Sequence, residues 1–148
     1  MAPATHQEHV ELDTSIGYLL KQASSALHAA MDAVLRPLGM TITHYSCLEL
    51  LAQRPGLSNS ELARGAFVTR QSMNVLLQAL EGDGLVARAD RARVGRALPT
   101  ELTARGRAQL ATASLAVKAV EDRMLAELDA GSQQDARRIL SGFAQSLG

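Results

Sequence analysis

Arg70, Gln71, Asn74 and Gln78 fall within nine residues of one another, in a segment that also holds Thr69 and Ser72. Arginine, glutamine and asparagine can each make paired hydrogen bonds to the edge of a guanine or an adenine in a major groove. Hydroxyls at a helix start can meet phosphate, because free N–H groups and the helix dipole favour anions there. A second set lies just downstream. Residues 84–107 carry six arginines (Arg88, Arg91, Arg93, Arg96, Arg105 and Arg107) against two acids, Asp90 and Glu101. Arginine favours the strong negative potential of a narrow minor groove. Arg96, which follows Gly95, is the minor-groove candidate, and Arg91 and Arg93 are candidates for phosphate. A solvated helix face and mobile surface arginines are the plainer readings of the same residues.

The chain as a whole is formally neutral, with 15 basic and 15 acidic residues. Between Arg54 and Arg107 nine arginines face five acids, a local surplus of four, and the rest carries the matching deficit. A positive centre between negative ends argues against binding polyanions over the whole surface, but leaves one nucleic-acid face possible.

These residues need elements to present them. Met73, Leu76, Leu77 and Leu80 project to one side at about 100° per residue, leaving Arg70, Gln71, Asn74, Gln78 and Glu81 as a polar stripe. Thr69 caps that helix and "EGDG" ends it. Upstream, Ser58 and Glu61 have the spacing of a capping box and open a short helix that stops at Gly65. Another helix begins near Thr43 and runs to the stop at Arg54–Gly56. Downstream, Leu85–Ala87 and "RALPTEL" read as two strands around the polar "DRARVG", with Pro99 confining the second to an edge.

Long helices flank this centre. Leu12, Ile16, Leu19, Leu20, Leu27, Met31, Val34 and Leu35 make one apolar face, with caps offered by Asp13–Ser15 and a stop at Pro37 and Gly39. From Thr103, Leu110, Ala113, Val117, Val120, Met124 and Leu128 step close to a heptad seam. Gly131 reads as its end, Ser132–Asp135 as a second cap, and Ile139, Leu140, Phe143 and Leu147 as the stripe of a last helix. The predicted class is mainly α with a small β-hairpin wing. The predicted division is an arm over 1–11, helical flanks over 12–39 and 103–148, and a winged helix-turn-helix over 40–102.

The stretch "SELARGAFVTRQSMNVLLQALEGDGLVAR", followed by a wing closing with "GRALPTELTARGR", resembles the MarR family (multiple antibiotic resistance regulators). The family pattern places an aspartate two residues before the wing arginine; here that position is Val94. The resemblance implies a homodimer held by the first helix and the last two, through Leu12, Ile16, Leu19, Val117, Val120, Met124, Leu128, Ile139, Leu140 and Phe143. It implies repression at pseudo-palindromic double-stranded DNA, with two recognition helices about one turn apart. It also implies release by a small phenolic or aromatic ligand, for which His28, Met31, His44, Tyr45 and Leu48 are the candidates.

Other function classes are weaker. A winged-helix protein-interaction module without DNA binding would share the element order. A thiol switch would rest on Cys47, the single cysteine, which sits among apolar neighbours and reads better as a buried thiol. His44 and Cys47 share a helix face, but two ligands do not make a zinc site, so no metal and no cofactor is expected. No phosphate loop, nucleophile elbow or triad spacing occurs, so no enzyme activity is expected. A lone cysteine, no apolar run of spanning length and a polar N-terminus predict a cytoplasmic protein that does not enter a membrane.

Overall fold

The structure, a computed structural model, describes residues 9–88 and 99–148. Among the described residues, six helices and one hairpin follow one another along the chain. They are α1 (Ile16–Leu35), a 3-10 turn at Arg36–Leu38, α2 (Ile42–Gln53), α3 (Asn59–Gly65), α4 (Arg70–Gly82), β1 (Val86–Arg88), β2 (Thr100–Leu102), α5 (Ala104–Met124) and α6 (Ala130–Leu147).

Each helix begins at a side chain that accepts a backbone N–H left without a helical partner. Ser15 accepts from Tyr18, Thr41 from His44, Thr69 from Ser72 and Thr103 from Gly106. At α3 the capping box forms in both directions, Ser58 accepting from Glu61 and Glu61 from Ser58. The two strands pair antiparallel, Val86 opposite Leu102 and Arg88 opposite Thr100.

The core lies where α2, α3, α4, the hairpin and the first half of α5 converge. Leu35, Leu48, Leu62, Met73, Leu77 and Leu80 are its largest fully buried aliphatic side chains. α1 packs on α5 and α2, and α3 on α4. Thr103 joins the hairpin to α5. Its hydroxyl donates to the Gly84 carbonyl at 2.6 Å, and its N–H donates to Leu85 O at 3.1 Å. Gly106 lets this approach happen, since a Cβ there would stand 2.0 Å from Leu85 O.

Three boundaries differ from the sequence reading. α1 starts at Ile16 after Ser15, one of the caps the sequence offered, which leaves Leu12 of the predicted stripe before the helix, 58% exposed. α2 starts at Ile42, before Thr43, because Thr41 takes the cap. α5 ends at Met124, so Leu128 lies in the connection to α6. α6 is capped by Asp129, whose carboxylate accepts the Ser132 N–H at 2.7 Å. Gly131 therefore sits inside the first turn of α6, and Ser132 is a donor to the cap and not the cap itself.

Candidate nucleic-acid interface

α3 and α4 form the two arms of a helix-turn-helix. Met73, Leu77 and Leu80 anchor α4 in the core. That orientation leaves Arg70, Gln71, Asn74, Gln78 and Glu81 exposed on the side away from it, as the 100° projection requires. The side chains of Arg70, Gln71 and Gln78 make no hydrogen bond or ion pair with any described residue. Among the described residues their donors and acceptors have no partner. Asn74 is held differently: its Oδ1 accepts from Asn59 Nδ2 at 2.6 Å, leaving the Asn74 amide nitrogen as its outward group.

The predicted hydroxyl pair at the start of α4 is engaged internally. Thr69 Oγ1 accepts the Ser72 N–H at 3.0 Å and donates to Ser72 Oγ at 2.9 Å. Ser72 keeps its own hydroxyl proton for an outside acceptor. Arg88, at the root of the hairpin, lies 3.8 Å from Glu81 at the end of α4 and so ties the two elements loosely. Asp90, Arg91, Arg93, Val94, Gly95 and Arg96 lie outside the described residues, and with them the predicted minor-groove and phosphate contacts of the wing.

Three residues here escaped the sequence reading. Asn59 carried no signal, because its role depends on a side chain fifteen positions away. Phe67, in the turn between α3 and α4, is 94% exposed and adopts a positive φ of 60°. That backbone region costs a non-glycine residue about 1–2 kcal/mol. Val75 stands on the outer side of α4 and is 63% exposed; the division into core and polar stripe left it unassigned.

Of the five predicted ligand residues, Leu48 is fully buried, Met31 and Tyr45 are half-buried against the same core cluster, and His28 is exposed. His44 is held below its ordinary range by burial, against an opposing pull from Asp83 at the end of α4. Tyr45 opens on a cleft of about 220 Å³, shared with Ser46, Glu49, Leu50, Gln53, Arg54 and Gly65. Its hydroxyl donates to Glu49 Oε2 at 2.5 Å, and Gln53 donates to the other oxygen of Glu49 at 2.9 Å. Burial first, then Glu49, pushes the Tyr45 phenol up to about 12.

Cys47 is fully buried, its Sγ 3.8 Å from Met73 Sδ, and burial pushes the thiol up to about 11. A thiol held protonated and out of reach of solvent is a poor redox sensor, so the geometry opposes the thiol-switch reading. Among the described residues no group of three or more His, Cys, Asp or Glu could hold a metal ion, and no helix is long and apolar enough to cross a membrane.

The MarR family model matches residues 38–97, which span α2, α3, α4 and the first strand of the hairpin. The HTH-type transcriptional repressor Rv2887 of Mycobacterium tuberculosis is 46% identical over 128 residues, 86% of this chain and 92% of the relative. The chain belongs to the MarR family. Its fold agrees with solved structures of MarR members. The M. tuberculosis Rv2887 complex with salicylic acid superposes with a TM-score of 0.73 at 45% identity, covering 88% of this chain and 97% of that one. The Rv2887 complex with DNA gives 0.71 at 44% identity, covering 88% and 98%. In this MarR protein the α4 face is therefore set in a frame shared with a relative that binds DNA.

Proposed function

We propose that this MarR protein is a homodimeric, sequence-specific DNA-binding repressor, released from its operator by a small aromatic acid. The observation that carries the reading is the outward face of α4. Arg70, Gln71 and Gln78 are exposed and unpartnered among the described residues, on a helix anchored by Met73, Leu77 and Leu80. Thr69, Ser72 and Asn74 complete the proposed contact set at its start. Arg91, Arg93 and Arg96 extend it into the flanking minor groove and phosphates. The relatives' complexes with DNA and with salicylic acid support the same partners for this chain.

The flanks, residues 12–39 and 103–148, form the dimer, and residues 40–102 the DNA-binding unit. Ile16, Leu19, Met124, Ile139 and Leu140 are all more than two-fifths exposed in the protomer, which suits an interface. Val120 is 6% exposed, its surface already used within the protomer, so it contributes little area to a partner. The effector binds near Tyr45, with His28, Met31, His44 and Leu48 around it once two chains meet. The protein acts in the cytoplasm by binding and not by catalysis.

Selection from a randomised duplex library tests this. The expected product is an inverted repeat whose half-site centres lie about 10 base pairs apart, bound less tightly when salicylate is added. Recovery of no common sequence would remove the reading. Enrichment of a sequence whose binding is indifferent to salicylate and related acids would keep the DNA-binding part and remove the effector part.

A further inference from the structure

Val75 lies within the proposed reading face, so any role for it rests on the DNA-binding proposal. At about 100° per residue, Val75 is turned about 160° from both Met73 and Leu77, two α4 residues with no exposed surface. It therefore points directly away from the core. Gln71 precedes it by one turn and Gln78 follows by three residues, so all three share the outermost ridge of α4. Val75 is 63% exposed there. A branched apolar residue in the interior of a solvated helix also gives up helix propensity. No packing among the described residues compensates either cost.

The major groove offers one apolar feature, the C5-methyl group of thymine; the other base edges present donors and acceptors. We propose that Val75 is a specificity-determining residue that packs on a thymine methyl group in each half-site, between the bases addressed by Gln71 and Gln78. Glutamine pairs best with adenine, so Val75 gives the outer ridge of α4 a preference for an A·T-rich core.

Replacing single thymines of the selected operator with 2′-deoxyuridine removes only the methyl group, and anisotropy then reads the affinity of the full-length protein. The wild type is expected to lose about fourfold when one thymine is changed in one half-site only, the equivalent of one buried methyl group. It should lose about sixteen-fold when both half-sites are changed, the square of the single effect. Val75→Ala should bind the thymine operator more weakly by a similar factor and show no further loss with deoxyuridine at that position. Val75→Ile should restore the discrimination, and thermal melting should show all three proteins equally folded. Two results overturn the inference: a wild type indifferent to every such replacement while still preferring operator to scrambled DNA, or Val75→Ala losing as much as wild type at the same thymine. Failure to prefer any duplex would overturn the DNA-binding reading along with it, and is distinguished by the scrambled control.

Discussion

Cys47 and Phe67 sit at opposite extremes of exposure, the thiol buried as its apolar neighbours suggest and the ring exposed against its residue type. The thiol is sealed against Met73, so alkylation by iodoacetamide in the folded protein at pH 8 should be slower by orders of magnitude than after denaturation. Equal rates would restore the redox reading. Because burial raises the Cys47 thiol from 9.0 to about 11, the folded state holds that proton more tightly than the unfolded chain. The associated stability is fully present below pH 9 and is lost as pH rises towards 11. Denaturant midpoints should fall across that window, and Cys47→Ala should flatten the fall. Phe67 shows the reverse. Its ring is almost wholly in solvent and its φ is 60°, so Phe67→Gly loses little packing. Relief of about 1–2 kcal/mol outweighs glycine's entropy cost of about 0.5–1 kcal/mol. Thermal melting should show a gain of roughly 0.5–1 kcal/mol; a loss would mean that the ring is packed in the dimer. The core and polar positions of α4 were legible because helical periodicity needs no partner. Phe67 and Asn59 were not, since a backbone conformation and a contact between two helices leave no local pattern.

Elements were legible where one cap stood out, Ser58 by its spacing to Glu61 and Thr69 and Thr103 by neighbours that cannot cap. Ser58, Thr69 and Thr103 mark their helix starts, and all three cap in the structure. At α2 the threonines at 41 and 43 compete, and the earlier one takes the cap. At α6 the sequence reading placed the cap at Ser132–Asp135 because Gly131 read as a stop. The structure corrects this through the short bond from the Ser132 N–H to Asp129. Asp129→Ala should therefore destabilise α6, visible as lost helical circular dichroism on heating, while Ser132→Ala should change little. The reverse order would mean that α6 starts later. The contact of the hairpin with α5 is stricter. Gly106→Ala places a methyl group against Leu85 O, which cannot move without breaking the Thr103 N–H bond. The cost should be about 2 kcal/mol or more by chemical denaturation.

At the scale of the whole molecule, the apolar surface of α1, α5 and α6 is larger than one protomer covers. None of α6 is buried, and Ile16, Leu115, Met124 and Leu140 are each about half exposed or more. Contiguous apolar faces of this kind mark an association surface. Sedimentation should find a dimer, and Ile139→Asp with Leu140→Asp should shift it towards monomer and weaken operator binding with it. In the sequence, the resemblance implied an interface on the first and last helices, and their apolar stripes agreed with it. The sequence could not separate the part of the α5 seam used inside the protomer, Leu110, Ala113 and Val120, from the part left for a partner, because both repeat at the same period. The positive centre was equally legible, as a surplus of four charges between Arg54 and Arg107.

The central claim is that the outward face of α4 reads DNA. Its most direct test is anisotropy on the duplex upstream of the protein's own gene and on a scrambled duplex, across a salt series, for wild type and for Gln71→Ala with Gln78→Ala. Wild type should bind the operator tightly and weaken steeply with salt, as arginines release phosphate counterions. The double substitution should erase most of the preference over scrambled DNA while leaving the salt slope nearly unchanged. Operator preference that survives the loss of both glutamines would contradict the claim.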